Sequence, residues 1–238
     1  MSGFGLPTMP PTWHVLCDFD HTVTIEDVTD GLLRQFANPA WEWLESAWRE
    51  DRIDARDCMS AQVALMQATP RELDAWLDSV RIDPAFARFA AFCGEAGVGL
   101  EIVSDGLDYA AQRVLKRHGL ADVPVTANRL QMLDHGRWAM SPRHAGADCR
   151  GRQGVCKCAV ARTPDVVTNR LLIGDGRSDF CVADQVDFVF ARDGLLAHCR
   201  ENGIRHRPIV NFREALSALQ QLLAETTPAL ATAQVAHV

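Results

Sequence analysis

The 238-residue sequence lacks any apolar run of membrane-spanning length, which argues against a transmembrane helix. It also lacks an excess of positive charge. With 24 Lys and Arg against 31 Asp and Glu, the formal net charge is -7, so broad attraction to nucleic acid or anionic lipid is excluded and an anionic ligand needs a locally positive pocket. Residues 1–12 are rich in Gly and Pro and carry neither the basic start nor the apolar core of a secretory signal, so a cytoplasmic location is the expectation. Eight cysteines are spread through the chain, and without an export signal they are expected as reduced thiols, several behaving as small core hydrophobes. There is no internal repeat and no low-complexity run.

What is present is an ordinary globular composition, 47% hydrophobic and 23% charged, long enough for one large α/β domain or a core domain carrying an insertion. The most informative segment is Asp18-Phe19-Asp20-His21-Thr22, directly after the apolar run Trp13-His14-Val15-Leu16-Cys17. Two carboxylates at the lip of a buried strand are costly to desolvate unless a cation joins them. Three further apolar runs end in the same way. Residues 99–103 end at Ser104-Asp105-Gly106, residues 170–173 at Gly174-Asp175-Gly176, and residues 187–190 at Ala191-Arg192-Asp193. Near-continuous apolar strands alternating with helical periodicity imply βαβ units and a parallel sheet covered on both faces. Ligands of such sheets bind beyond the carboxyl ends of the strands, where Asp18, Asp20, Ser104 and Asp175 all fall.

Local signals place several elements. Asp83-Pro84 predicts a helix over 85–96 closed by Gly97, Thr69-Pro70-Arg71-Glu72 reads as a capping box, and Asn211 with Glu214 opens a last helix to about residue 224. Residues 130–132 and 137–139 around Asp134-His135-Gly136 predict a β-hairpin. Between Asp27 and about Val80 the periodicity is helical throughout, with Trp41, Leu44 and Trp48 as a packed stripe. The expected division is a tail at 1–12, a core of 13–26 and 81–224, a helical cap at 27–80 and a flexible tail at 225–238.

D-x-D-x-T after one strand, Ser104 after a second, then Lys157, then G-D-x-x-x-D after a third: this series resembles the haloacid dehalogenase superfamily. The resemblance implies an α/β, Rossmann-like doubly wound parallel sheet core with an inserted helical cap after the first strand. It implies a phosphatase in which Asp18 is the nucleophile and Asp20 the general acid and then base. Mg²⁺ is the implied cofactor, held by the carboxylates of Asp18 and Asp175 and the backbone carbonyl of Asp20, with Asp179 orienting that shell. Thr22, Ser104, Lys157 and the backbone of Asp105 and Gly106 are the implied phosphate ligands. His21, which stands where relatives often have Gly or Ser, and acidic Asp27 are candidates for substrate contact.

The cap resembles that of the phosphoserine-phosphatase-like branch. Within it, Phe190-Ala191-Arg192-Asp193-Gly194-Leu195-Leu196 and Cys199-Arg200-Glu201 resemble the phosphatases of methionine salvage that act on 2-hydroxy-3-keto-5-methylthiopentenyl 1-phosphate. Phosphoserine is the alternative substrate, ranked second because Met59-Ser60-Ala61-Gln62 stands where a carboxylate-binding arginine belongs. The expected partner is thus a small phosphorylated metabolite, with no nucleic acid and no membrane, for a monomer or homodimer. A non-catalytic phosphate-binding protein, or a zinc module built on His144, Cys149, Cys156 and Cys158, is the alternative of another class, though C-x6-C-x-C matches no regular zinc spacing.

Overall fold

A computed structural model describes residues 12–146, 149–162 and 168–226. Its centre is a seven-stranded sheet in the order β4-β3-β2-β1-β5-β6-β7. The strands are β1 (Thr12–Cys17), β2 (Gly99–Leu107), β3 (Val125–Met132), β4 (Trp138–Ser141), β5 (Thr168–Gly174), β6 (Phe188–Ala191) and β7 (His206–Pro208). All pairings are parallel except that of β3 with β4. The chain lays down β1, β2 and β3 outward in one direction and β5, β6 and β7 in the other. Strand order therefore reverses beside β1, and the crevice of a doubly wound sheet lies at its carboxyl end.

The apolar runs are strands because both of their faces are covered. Val15 and Cys17 belong to one buried cluster with Phe86, Phe89, Val114, Phe212 and Leu219, whereas Leu16 belongs to a second with Cys158, Val182, Val189 and Leu195. The first cluster is closed by helices α5 (Phe86–Glu95), α6 (Asp108–Arg117) and α10 (Phe212–Thr226), and the second by α7 (Lys157–Ala161), α8 (Phe180–Ala183) and α9 (Asp193–Glu201). Phe86 and Phe212 meet edge to face at 4.8 Å, joining α5 to α10.

Between β1 and β2 come four helices before α5: α1 (Val28–Phe36), α2 (Trp41–Arg49), α3 (Ala55–Ala64) and α4 (Pro70–Leu77). The chain leaves and re-enters the core side by side, since Ile25 N donates to Arg81 O and Asp83 N to Val23 O. The helical insertion is tied firmly on one flank. Trp138 Nε1 donates to Ala68 O at 2.9 Å, and Arg113 on α6 pairs with Asp74 and Asp78 at the α4 end.

The expected hairpin is present, with a 3₁₀ turn at Asp134–Gly136. The capping box at Thr69 is complete, and Glu214 N donates to Asn211 Oδ1 ahead of α10. Asp83 acts differently from the expected cap. Its Oδ1 takes Ala85 N and its Oδ2 takes Phe212 N, so it ties a turn to α10 and the helix starts at Phe86. Thr12 lies in β1 and residues 225–226 in α10; the rest of the two expected tails, 1–11 and 227–238, lies outside the described residues.

Candidate active site

Asp18 ends β1, its N–H still donating to Ile173 O at 2.9 Å in the neighbouring strand. The chain then turns sharply: the amides of Thr22, Val23 and Thr24 all donate to Phe19 O, and His21 takes the left-handed conformation at φ 53°. Glycine adopts that conformation without cost, whereas a histidine there carries backbone strain. The turn packs Asp18 and Thr22 inward, 6% and 3% exposed.

Asp18 meets Lys157, which opens α7 and is one of only two lysines in the chain. Lys157 Nζ lies 2.7 Å from Asp18 Oδ1, 2.6 Å from Asp179 Oδ1 and 3.2 Å from Ser178 Oγ, at 1% exposure. Burial alone would favour loss of its proton, but the carboxylates of Asp179 and Asp18 outweigh that and hold the ammonium above the ordinary lysine range. Burial pushes Asp179 up to about 7, against the pull of Lys157 and with the Asp18 charge adding to it. Asp179 also explains Gly174, where a Cβ would stand 2.3 Å from its Oδ2.

Among the described residues, the one group of three or more side chains close enough to share a metal ion is Asp18, Asp175 and Asp179, with ligand atoms within 4.8 Å of one another. The donors are hard oxygens in a largely buried, acid-lined setting, which fits Mg²⁺ and not a thiol-seeking metal. Asp175 is raised by burial and by the Asp18 charge, while Thr22 Oγ1 donates to its Oδ1 at 3.1 Å and opposes the shift. Thr22, expected as a phosphate ligand, thus gives its hydroxyl to Asp175 here. His144, Cys149, Cys156 and Cys158 form no such group: His144 is exposed, and the three cysteines lie in the second core cluster. All eight cysteines are free thiols.

Asp20 accepts a 2.7 Å hydrogen bond from Val28 N at the start of α1. Burial, with the charge of Asp27 next in weight, pushes its carboxyl well above the usual range despite that bond. Asp27 is the N-cap of α1, taking Asp30 N at 2.7 Å, and burial lifts it to about 6. Opposite Asp20 stands Gly106, where a Cβ would be 2.8 Å from Asp20 Oδ2 and 3.1 Å from Ser104 Oγ. Ser104 Oγ accepts from Gly106 N at 2.9 Å, which leaves its own proton for an incoming ligand.

β2 runs on through these motif residues to Leu107, with a register shift against β3 between Val103 and Leu107. Irregular pairing of this kind re-aims side chains at the edge of a site. Asp105 faces the loop that leads to Lys157: its Oδ1 takes Val155 N at 3.0 Å and Asn128 Nδ2 at 3.3 Å. Burial raises it to about 6. Its side chain therefore positions Lys157 through the loop, a role that sequence reasoning, which used only its backbone, missed.

Asp18, Asp20, Asp27, Ser104, Asp105 and Asp175 line one cleft of about 870 Å³, with Lys157 and Asp179 buried behind Asp18. The insertion contributes Trp48, Ile53, Met59 and Gln62, and the core contributes Arg152, Gln153 and Arg177. Two ion pairs and a backbone hydrogen bond bridge the mouth: Arg152 Nη1 to Asp54 Oδ1 at 3.0 Å, Arg177 Nη2 to Asp51 Oδ1 at 2.8 Å, with Arg177 also over the Trp48 ring, and Arg56 N donating to Arg152 O at 3.2 Å. Trp48 is thus a cleft residue and not simply packing within the insertion. Neither arginine stood out in the sequence, because nothing in their spacing marks them. Cys181 also borders the cleft, and the thiol of Cys158 lowers its pKa against burial, with Lys157 and Arg150 adding to the effect.

The model of the haloacid dehalogenase-like hydrolases matches residues 15–184. The chain belongs to that family. The haloacid dehalogenase-like chain is 30% identical over 214 residues to the 2-hydroxy-3-keto-5-methylthiopentenyl-1-phosphate phosphatase of Brevibacillus brevis, covering 89% of this chain and 96% of the relative. It is 31% identical to the Geobacillus kaustophilus protein of the same name, covering 87% and 96%. Among solved structures, a phospho-aspartyl intermediate analogue of phosphoserine phosphatase superposes with a TM-score of 0.65 at 17% identity, covering 87% of this chain and 99% of that one. The sheet and its helices are therefore the haloacid dehalogenase fold, and the protein is a phosphatase of that family.

Proposed function

We propose that the protein is a Mg²⁺-dependent phosphomonoesterase that transfers the phosphoryl group to Asp18 and then to water. The observation that carries this reading is the placement of Asp18: 6% exposed at the cleft base, its Oδ1 on Lys157 and beside Asp175 and Asp179. When bound, Mg²⁺ supplies the charge neutralisation that lets a carboxylate approach an anionic phosphate.

The residues divide the work. Ser104 Oγ, Lys157 and the amides of Phe19, Asp20 and Asp105 hold the phosphoryl oxygens, while the Gly106 amide, expected as a further ligand, orients the Ser104 hydroxyl and Lys157 adds positive charge as the transition state forms. Asp18 attacks phosphorus, and Asp20 protonates the departing oxygen. Its carboxyl, raised by burial, fits the role of proton donor. Once deprotonated, Asp20 takes a proton from the water that attacks the aspartyl-phosphate, and phosphate leaves.

For the substrate we infer a small phosphorylated metabolite of the 2-hydroxy-3-keto-5-methylthiopentenyl 1-phosphate type. The names of relatives matched over nearly their full length support this, as do Trp48, Ile53 and Met59 on the insertion side of the cleft. An α-amino acid ester is disfavoured because neither Arg52 nor Arg56 of the insertion lines the cleft, where Met59 and Gln62 stand instead. The test is a panel of phosphomonoesters including that ester, phosphoserine and p-nitrophenyl phosphate, with Mg²⁺ and with EDTA. Metal-dependent hydrolysis with the highest kcat/KM on the methylthio ester is expected. A preference for phosphoserine, or equal rates with EDTA, contradicts the reading.

A further inference from the structure

The second core cluster holds two neighbouring thiol pairs, Cys149 with Cys156 and Cys158 with Cys181, and the second pair adjoins the Lys157–Asp179 contact. Cys158, the second residue of α7, points its Sγ at α8, donating to Cys181 O at 3.0 Å and to Cys181 Sγ at 3.4 Å. The two sulfurs are thus in contact, while Cys181 also borders the active-site cleft. Each thiol is attached to the machinery beneath the phosphoryl site. Cys158 follows Lys157 directly, and Cys181 lies two residues after Asp179, whose carboxylate holds that same lysine. Arg150 ties the carbonyl of Cys181 from the loop side at 3.3 Å.

We propose that Cys158 and Cys181 are a peroxide-sensitive pair whose oxidation to a disulfide switches the phosphatase off. Cys181, the thiol that borders the cleft, meets the oxidant first. Its sulfur attacks one peroxide oxygen, the O–O bond breaks, and the departing hydroxide takes the thiol proton as water, leaving a sulfenic acid. Cys158 Sγ then attacks that sulfur, the S–O bond breaks, and the hydroxyl leaves with the Cys158 proton as a second water. One hydrogen peroxide is reduced to two waters, and two thiols are oxidised to one disulfide. A small-molecule dithiol reverses the step by exchange.

The bond requires the sulfurs to close from 3.4 Å to about 2.05 Å, a change on the order of 1 Å that the two side chains and the short helices α7 and α8 that carry them take up between them. Lys157 opens α7 and Asp179 directly precedes α8, so a shift of one helix against the other acts on the 2.6 Å Lys157–Asp179 contact, and through Lys157 on its 2.7 Å contact with Asp18 at the end of β1. Misplacing a catalytic group by about 1 Å lowers the rate by about 10²-fold.

The switch rests on the phosphatase reading for its activity readout but not for its chemistry. The test treats the full chain with hydrogen peroxide, then dithiothreitol, following p-nitrophenyl phosphate hydrolysis and mapping cross-linked peptides. The expected result is a Cys158–Cys181 cross-link with about 10²-fold loss of activity that the dithiol restores. Cys158→Ser and Cys181→Ser each keep their activity under the same dose, whereas Cys199→Ser, from the same core cluster, stays sensitive. A cross-link elsewhere, none at all, or one at this pair with activity unchanged overturns the proposal. So does a loss of activity in either serine variant as large as that of the wild-type chain, and should those variants fold poorly, the wild-type peptide map and its reversal decide alone. A chain inactive before oxidation overturns the phosphatase assignment and the switch with it, while the cross-link is scored from the map in either case.

Discussion

Lys157 is the residue on which the charge balance of the site turns. It is fully enclosed and answers two carboxylates at once, so removing its charge leaves anions that water cannot reach. Lys157→Met is expected to lower the stability of the metal-free protein by about 3 to 5 kcal/mol, measured by denaturant unfolding. The loss should be larger at pH 8 than at pH 5. Carboxyls whose native pKa lies above the unfolded value stabilise the fold most below that unfolded value and lose the contribution as pH rises through the native one. Asp179, raised to about 7, falls in that window. Gly106 makes a second residue-scale case. Gly106→Ala puts a methyl 2.8 Å from Asp20 Oδ2, which must displace the proton donor. Hydrolysis of an alkyl phosphate, whose leaving group needs that proton, should fall by about 10²-fold, and p-nitrophenyl phosphate should suffer less.

At the scale of elements, the strap between β2 and the loop before α7 decides where Lys157 stands. Asp105 holds it through Val155 N, and Asn can accept the same bond without a charge. With its carboxyl at about 6, the wild-type protein sheds stability as pH rises from about 4 to about 6, because the native state holds a proton that the unfolded chain has released. Asp105→Asn should flatten that slope by on the order of 2 kcal/mol, read from unfolding curves across the range. Much at this scale was legible in the sequence. The runs ending at Asp18, Ser104 and Asp175 are strands, and the capping box at Thr69 and the hairpin at residues 130–139 formed as their local chemistry dictates. β7, with its charged and proline residues, carries no apolar signal because it is a short strand at the sheet edge. The bonds of Asp83 to α10 and of Asp105 to the Lys157 loop join segments far apart in the chain, and no local pattern encodes such pairings.

For the molecule as a whole, the helical insertion has one fixed flank and one lightly held edge. The α4 flank is bound to β4 and α6, whereas the mouth is bridged by two ion pairs, Asp51 with Arg177 and Asp54 with Arg152, and one backbone hydrogen bond from Arg56 N to Arg152 O. Exposed pairs of this kind contribute about 0 to 1 kcal/mol each. Replacing Asp51 and Asp54 by Asn should therefore barely change stability, yet it removes two negative charges from the entrance and frees two arginines. Steered association predicts a kcat/KM for anionic esters raised up to about tenfold at low salt, with the gain lost near 0.15 M as screening shortens the field's reach. This edge was not readable from sequence, since the arginines and acids that meet there come from opposite sides of the fold.

The most direct test of the central claim, that Asp18 carries the phosphoryl group, is chemical trapping of the enzyme during turnover. Rapid quenching in borohydride reduces an aspartyl-phosphate to homoserine, and peptide mass spectrometry locates the change. Conversion at Asp18, and none in Asp18→Asn, is the predicted result. Conversion at another carboxylate, or normal turnover by Asp18→Asn, would contradict the account.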